Sequence, residues 1–173
     1  HRNIIRLVQS NTFYNFSTSD ILLSTGAFSF DATTFEYWGP LLNGSQLVLC
    51  SHHSLLDSTL LSREITDRGV SVMWFTSGWL SQLVDTDISL FSGLSSVLVG
   101  GDKLSPTHIG KLRSCYPELE IINGYGPTEN TTFSLTYNIK EVSGDIPIGY
   151  PISNSTAYIV DDQLNLVPKG VVG

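Results

Sequence analysis

Asn123-Gly124-Tyr125-Gly126-Pro127-Thr128-Glu129 directly follows the mostly apolar stretch 119–122. The apolar residues predict a buried strand, and the glycines and the proline predict a tight loop at its carboxyl end. Ligands of open α/β sheets bind at such ends. The loop offers a hydroxyl on Thr128, a carboxylate on Glu129 and an aromatic ring on Tyr125, which suit a phosphate, Mg²⁺ and a flat base. A nucleotide site is therefore predicted, with a plain Gly-Pro turn as the alternative.

Four short apolar runs predict strands, and helical patterns separate most of them. One helix is predicted from an N-cap at Asp57 to a terminating Gly69, and another from Ser105-Pro106 through Leu112. Both are expected to cross over between parallel strands. The predicted strand runs are 45–50, 70–75, 96–100 and 119–123.

The composition of the sequence changes after Thr131. Ser, Thr, Tyr and Val predominate there, and several glycines and prolines interrupt them. A further strand is predicted at 158–161, running into a turn. We therefore expect an α/β fold with two parts. Residues 1–130 would form a mostly parallel sheet flanked by helices, and residues 131–173 a smaller β-rich part.

Composition excludes several classes of partner. The chain has 173 residues, a net charge of −7 and only 9 basic residues, which argues against a nucleic-acid or anionic-membrane surface. No run reaches the ~18 apolar residues that a membrane span requires, and no basic and apolar leader precedes the first strand. Cys50 and Cys115 are expected to be reduced core residues. We expect a cytoplasmic protein that binds small molecules or protein partners, with no nucleic acid and no membrane.

Two further segments carry candidate binding groups. Asp31 lies between Phe30 and Ala32 at the start of a predicted helix, where it is either the helix N-cap or a fixed carboxylate for a ligand. Gly100 and Gly101 end a predicted strand, where they form either a plain bulge or turn or a place for a flat ligand to approach the backbone.

The stretch 123–129 closely resembles the Asn-x-Tyr-Gly-Pro-Thr-Glu signature of adenylate-forming enzymes, specifically the amino-acid adenylation domains of nonribosomal peptide synthetases. The resemblance spans nearly the whole chain, including 148–152 and 158–161. It implies an internal fragment of the large N-terminal subdomain, incomplete at both ends. The family's phosphate loop would precede His1. The ribose-binding aspartate, the hinge and the C-terminal subdomain with its catalytic lysine would follow Gly173, so the fragment alone is expected to be inactive.

The resemblance also implies roles for individual residues. Asp31 would pair with the α-ammonium of the amino-acid substrate. Thr128 and Glu129 would be the catalytic pair, with Glu129 also binding Mg²⁺. The adenine base would lie between the Gly-Gly loop and the ring of Tyr125. Asn123 would form a hydrogen bond with the adenine amino group. The residues expected to bind the nucleotide are Gly100, Gly101, Asn123, Tyr125, Gly126 and Thr128.

A side-chain pocket follows from the same resemblance. Apart from Asp31, the residues expected to line this pocket are almost wholly apolar, and only Thr132 adds a hydroxyl. This set resembles the family's valine-type pocket, with Leu98 in place of the more usual isoleucine, so valine is expected first and isoleucine or leucine next. The aromatic members are also ordinary core residue types. The expected pocket residues are Asp31, Ala32, Phe35, Trp74, Leu98, Gly100, Gly124, Thr132 and Phe133.

In such an enzyme, ATP and Mg²⁺ would convert the amino acid to an aminoacyl-AMP. The acyl group would then pass to the phosphopantetheine thiol of a peptidyl carrier protein, with a condensation domain in the same assembly line. Three alternatives remain at this point. They are an acyl-coenzyme A synthetase, which shares the fold but has no ammonium for Asp31 to pair, a stand-alone ligase for carrier loading, and a non-catalytic α/β binding module.

Overall fold

The computed structural model describes residues 1–9 and 11–173. Two short 3₁₀ helices, Ile88–Gly93 and Thr128–Asn130, accompany the α-helices and strands. In chain order the elements of this part of the chain are α1 Arg2–Val8, β1 Ile21–Ser24, α2 Ala32–Asn43, β2 Gln46–Leu49, α3 His52–Leu56, α4 Ser58–Arg68, β3 Val72–Thr76, α5 Ser77–Thr86, β4 Ser96–Gly100, α6 Pro106–Cys115, β5 Glu120–Tyr125, β6 Leu135–Asn138 and β7 Tyr150–Pro151.

One seven-stranded sheet runs through the molecule in the order β2-β1-β3-β4-β5-β6-β7. The neighbours from β2 to β5 are parallel, and β6 and β7 are antiparallel to theirs. The prediction of a mostly parallel sheet flanked by helices is confirmed. The four predicted runs correspond to β2, β3, β4 and β5. The strand β1 was not predicted, because its three apolar residues lie between the polar stretches 17–20 and 24–25.

Two apolar cores lie on opposite faces of the sheet. Successive strand side chains point to opposite faces, so Met73 and Val97 join the core beneath α4, α5 and α6. Trp74 and Leu98, by the same alternation, join the core that includes α1 and α2. Because helices cover both faces, the central strands are fully buried and read as continuous apolar runs.

Of the two helices predicted from their capping residues, α4 follows the capping rule and α6 does not. Asp57 caps α4 by accepting the backbone N–H groups of Thr59 and Leu60 at 2.9 and 3.0 Å, and Gly69 ends α4 in the left-handed conformation. Ser105 makes no capping bond to the backbone of α6. Its hydroxyl instead lies 2.6 Å from Nδ1 of His108. The Ser105 hydroxyl, which would cap the helix by bonding to its backbone, therefore bonds to the imidazole of His108 instead.

The residues after Thr131 continue the same sheet through β6 and β7, so the sheet crosses the boundary expected at 130/131. The strand predicted at 158–161 is wrong in extent, because only an isolated bridge between Val160 and Leu166 forms there. Cys115 is exposed and is therefore not a core residue, whereas Cys50 is partly buried and packs against the core beneath α4, α5 and α6. Among the described residues, no helix combines the length and the apolar character needed to cross a bilayer.

Replacing Asp57 with Ala should weaken α4 locally. The cap satisfies two backbone donors, and its loss costs about 1 kcal/mol, or about a fivefold change in the opening equilibrium. Hydrogen–deuterium exchange of the α4 amides in the full-length protein measures this. Asp67→Ala is the control, because Asp67 lies on the exposed surface near the other end of α4. Equal protection of α4 in both variants would contradict the capping role.

Candidate functional site

The carboxyl ends of three central strands lie level with one another. Thr76 pairs with Gly100, and Gly100 pairs with Gly124, so β3, β4 and β5 reach the same edge of the sheet. The chain leaves β5 through Gly126 and Pro127 and enters the 3₁₀ turn Thr128–Asn130. The loops predicted to carry ligand groups therefore meet at one edge.

The larger cavity at this edge has a volume of about 490 Å³. It brings together Gly101, Asn123, Tyr125 and Gly126, four of the residues predicted to bind a nucleotide. The Tyr125 side chain is half exposed, so its ring is accessible. Gly124, which was predicted for the side-chain pocket, and Asp102, which follows the predicted Gly-Gly pair, also line this cavity. Sequence reasoning missed the other walls, which lie in loops without a distinctive residue pattern and are Lys103, Leu104, Asp145, Ile146 and Ile148.

The amide of Asn123 has a defined orientation. Its Nδ2 donates to the carbonyl oxygen of Pro147 at 2.8 Å, and a carbonyl oxygen only accepts, so the nitrogen must face Pro147. The Oδ1 atom is then the group that can accept a hydrogen bond from a ligand. The side chain itself is buried, which holds this orientation.

Gly100 and Gly101 serve different purposes. A Cβ on Gly100 would collide with the carbonyl oxygen of Gly124, so glycine is needed there for the close approach of β4 and β5. Gly101 has φ +85°, a conformation that glycine adopts without steric cost, and a Cβ there would meet no atom within 4 Å. Gly101 lines the larger cavity and Gly100 does not.

A smaller cavity of about 220 Å³ adjoins the first and shares Gly101, Gly124 and Gly126 with it. Its other walls are Phe30, Asp31, Ala32, Trp74, Pro127, Thr128, Thr132 and Phe133. The Phe30 ring lies 5.7 Å from the Trp74 ring between centroids. The indole nitrogen of Trp74 is enclosed with no hydrogen-bond partner in residues 1–9 and 11–173. Asp31 is the one ionisable side chain in this lining.

Phe35 and Leu98 lie behind the smaller cavity rather than on its surface. Both side chains are fully buried in the core that contains Trp74. Phe35 packs against Phe133, with ring centroids 6.0 Å apart, and also against Phe13 and Phe16. The sizes of the Phe35 and Leu98 side chains therefore influence the shape of the cavity indirectly, through the positions of Phe133 and the strand backbone.

Asp31 is tied to Thr132 by two hydrogen bonds that bridge 101 residues of sequence. The Thr132 N–H donates to Oδ2 of Asp31 at 3.1 Å, and the Thr132 hydroxyl donates to the Asp31 carbonyl oxygen at 2.9 Å. Asp31 precedes α2 but makes no side-chain capping bond to it. The Thr132 hydroxyl, expected to be a polar group of the pocket, uses its single proton on the Asp31 backbone.

The loop that carries Thr132 has an unfavourable backbone conformation at two residues. Thr131 and Thr132 have φ 60° and 61°, which β-branched residues rarely adopt. Such conformations persist when the surroundings over-determine them, and they cluster at binding sites. The two bonds to Asp31 supply part of that constraint.

Thr128 and Glu129 are exposed on the 3₁₀ turn. Helix α1 holds this turn, because Arg6 donates to the Asn130 carbonyl at 2.5 Å and to the Ser155 hydroxyl at 2.6 Å. Glu129 makes no ion pair within the described ranges. No cluster of three or more metal-binding side chains occurs in the same ranges. A cation here would rely on Glu129 and on oxygens from a ligand, as Mg²⁺ commonly does.

Comparison with known proteins gives a family. The model of the AMP-binding enzymes matches residues 1–173. Tyrocidine synthase 3 from Brevibacillus parabrevis is 47% identical over 174 residues, which cover 100% of this chain and 3% of that protein. Gramicidin S synthase 2 from Brevibacillus brevis is 45% identical and is covered to 4% of its length. The chain thus spans only a small part of these curated relatives.

Solved structures agree with this result. PA1221, a nonribosomal peptide synthetase protein with adenylation and carrier (PCP) domains, superposes with a TM-score of 0.92 at 36% identity. That match covers 96% of this chain and 29% of PA1221. The N-terminal subdomain of NpsA from Klebsiella oxytoca gives a TM-score of 0.88 at 26% identity, over 99% of this chain and 44% of that subdomain. The resemblance to adenylation domains inferred from the sequence is confirmed.

Replacing Thr132 with Val should destabilise the protein by about 1 kcal/mol. Valine keeps the shape and the β-branching of threonine, so the backbone strain is matched, but the Asp31 carbonyl loses its donor. The wild type is the matched reference, because it differs from Thr132→Val only in the hydroxyl. Calorimetric unfolding of the full-length protein should show a lower transition temperature for Thr132→Val than for the wild type, and an unchanged or higher transition temperature would contradict the assignment.

Proposed function

Because this chain belongs to the family of AMP-binding enzymes, we propose that it forms the amino-acid and adenine sites of an adenylation domain. The domain would convert an amino acid and ATP to an aminoacyl-AMP and pyrophosphate. One observation carries the proposal. Asp31 lines a small cavity that shares Gly101, Gly124 and Gly126 with a second cavity large enough for a nucleotide base.

The Asp31 carboxylate is suited to bind the α-ammonium of an amino acid. Its Oδ2 is held by the Thr132 N–H, and it has no basic partner in residues 1–9 and 11–173. An ammonium that leaves water needs a fixed opposite charge with good hydrogen-bond geometry. A fatty or aryl acid has no such group and would leave the Asp31 charge unpaired. This contrast favours an amino acid over the substrates of an acyl-coenzyme A synthetase.

The side chain of the amino acid would lie among Ala32, Trp74 and Phe133. Phe35 and Leu98 set the depth of this space from behind. Valine is the proposed substrate, with isoleucine and leucine next, because the space is small and lacks a charge to meet a charged side chain. One methylene changes binding in an apolar pocket by about 1–3 kcal/mol, so some activation of the larger residues is expected.

The adenine base would lie between the Gly101 backbone and the Tyr125 ring. Asn123 would accept a hydrogen bond from the adenine amino group through Oδ1, the atom turned away from Pro147. Gly100 would support this arrangement by allowing β4 and β5 to approach. Gly126 lines both cavities and packs on the loop of Thr132, since a Cβ there would lie 2.6 Å from the Thr132 carbonyl oxygen. Thr128 would donate its hydroxyl to a phosphate oxygen.

Mg²⁺ fits the residues present, since Glu129 is an exposed carboxylate with no ion pair in the described ranges. Mg²⁺ would neutralise phosphate charge in the reaction. An oxygen of the substrate carboxylate attacks the α-phosphorus of ATP, and the bond to pyrophosphate breaks. Asp31 and the cavity walls orient the attacking acid, and Thr128 orients the phosphate. Such transfer depends on positioning and charge stabilisation more than on covalent help from the protein.

The remaining steps would use other parts of the protein. The acyl group would pass to the phosphopantetheine thiol of a carrier domain, and a condensation domain of the same assembly line would use it. PA1221, with its adenylation and PCP domains, supports the carrier as a partner. A cytoplasmic location fits ATP as the co-substrate.

The proposal is tested by amino-acid-dependent exchange of labelled pyrophosphate into ATP with the full-length protein. We expect exchange with valine, weaker exchange with isoleucine and leucine, and little with 2-hydroxyisovalerate, which lacks the ammonium. Asp31→Ala should lower the valine kcat/KM by at least about a hundredfold, because a charged hydrogen bond is lost. Asp162→Ala, at an exposed position, is the control.

Other outcomes of the exchange assay exclude the proposal. Exchange with acids that lack an amino group, unaffected by Asp31→Ala, would identify an acyl-coenzyme A synthetase-like enzyme. Exchange with no acid at all would identify a non-catalytic binding module.

Replacing Tyr125 with Ala should weaken nucleotide binding selectively. Stacking of a base on an aromatic ring contributes about 1–3 kcal/mol, so the KM for ATP should rise by about ten- to a hundredfold, while the KM for valine changes little. The exposed Tyr158 provides the control Tyr158→Ala. An unchanged KM for ATP in Tyr125→Ala would place the base elsewhere.

A further inference from the structure

Glu36 is a fully buried carboxylic acid on α2, five residues after Asp31. It makes no ion pair within residues 1–9 and 11–173. Its Oε1 accepts the Thr25 N–H at 2.9 Å, and its Oε2 accepts the Gly26 N–H at 3.1 Å. The Ser24 hydroxyl donates to Oε2 at 3.3 Å. A buried acid surrounded by donors from one loop organises that loop.

The Thr25 hydroxyl links Glu36 to the sheet. It lies 2.6 Å from Oε1 of Glu36 and 3.1 Å from the carbonyl oxygen of Trp74, but it has only one proton to donate. Both contacts are hydrogen bonds when the acid is protonated, because Glu36 then donates to Thr25 and Thr25 donates to Trp74. Burial, the largest influence, raises the pKa of Glu36 and favours this neutral form.

The elements joined in this way form the walls of the smaller cavity. The loop that begins at Thr25 ends at Phe30 and Asp31, and Trp74 forms another wall. Gly26 packs tightly on α2, since a Cβ there would lie 2.9 Å from a methyl of Thr33. The acid thus connects the loop before Asp31 to the strand that carries Trp74.

We propose that Glu36 is a positioning residue for the amino-acid site, which holds the Thr25–Asp31 loop and the Trp74 backbone in the arrangement that binds the substrate. This inference rests on the proposed function. Glu36 lines neither cavity, so it acts through Asp31 and Trp74 and not by contact with substrate.

Glutamine cannot replace this acid. Each carboxyl oxygen accepts one backbone N–H, whereas an amide has one oxygen and one NH₂ group. In either orientation, the NH₂ group of Glu36→Gln would face a backbone N–H of Thr25 or Gly26. Thr25→Val is a milder change, because it keeps the backbone contact to Glu36 and removes only the hydroxyl between Glu36 and Trp74.

The test uses pyrophosphate exchange with the full-length protein and its Glu36→Gln, Thr25→Val and Glu141→Gln variants, with thermal unfolding recorded for each. Glu141 is an exposed control. We expect the KM for the amino acid to rise at least about tenfold in Glu36→Gln, because small misplacements of binding groups are costly. Thr25→Val should shift in the same direction by less. The KM for ATP should stay within about twofold in both, since the nucleotide cavity is lined by other loops.

Two results would overturn the inference. One is an unchanged KM for the amino acid in both variants. The other is an equal rise in the KM for ATP and for the amino acid, which indicates a general structural role. If Glu36→Gln does not fold, the KM of Thr25→Val for the amino acid is the deciding measurement. A wild-type protein that exchanges pyrophosphate with no amino acid would refute the proposed function itself, and this inference would fall with it. An active wild type with unaffected variants would refute the positioning role alone.

Discussion

A pair of hydrogen bonds between Asp31 and Thr132 joins the start of α2 to the loop after β5, across 101 residues of sequence. The smaller cavity exists only because these two segments meet. The bonds hold Asp31 at the cavity wall, and they help to keep Thr132 at a φ of 61°. A flexible carboxylate would lose part of its binding energy to ordering when a substrate arrives. A carboxylate already fixed by the fold loses less.

The level ends of β3, β4 and β5 place the two cavities side by side. Glycine is required at position 124, because any Cβ there would collide with the Phe133 ring that lines the smaller cavity. The same glycine lines both cavities, so two ligands bound there would meet at the end of β5. A reaction between an acid and a nucleotide phosphate needs this proximity more than it needs a nucleophile from the protein.

Sequence reasoning recovered the elements whose residues show local patterns. The central strands were visible because they are buried on both faces, and α4 was visible through its cap at Asp57 and its terminator at Gly69. β1 was not predicted, because its short apolar stretch lies between polar Ser, Thr and Asp residues that are typical of loops. The loop proposed to bind the nucleotide was singled out from its unusual sequence at 123–129.

The contacts that connect distant segments were not accessible from the sequence. The bonds of Arg6 to Asn130, of Asn123 to Pro147 and of Glu36 to the loop at Thr25 depend on how the chain folds back on itself. Thr132 shows the same limit, since its residue type suggested a hydroxyl for a ligand and the fold uses that hydroxyl on Asp31. Phe35 and Leu98 were recognised as apolar, but only the packing shows that they lie behind the cavity.

The most direct test of the site is a crystal structure of the full-length protein with a non-hydrolysable valyl-adenylate analogue. The ammonium should lie within hydrogen-bond distance of the Asp31 carboxylate, with the valine side chain among Ala32, Trp74 and Phe133. The adenine should lie between Gly101 and Tyr125, with its amino group near Oδ1 of Asn123. An analogue bound with its ammonium directed away from Asp31, or with its base outside the larger cavity, would contradict the assignment of the two cavities.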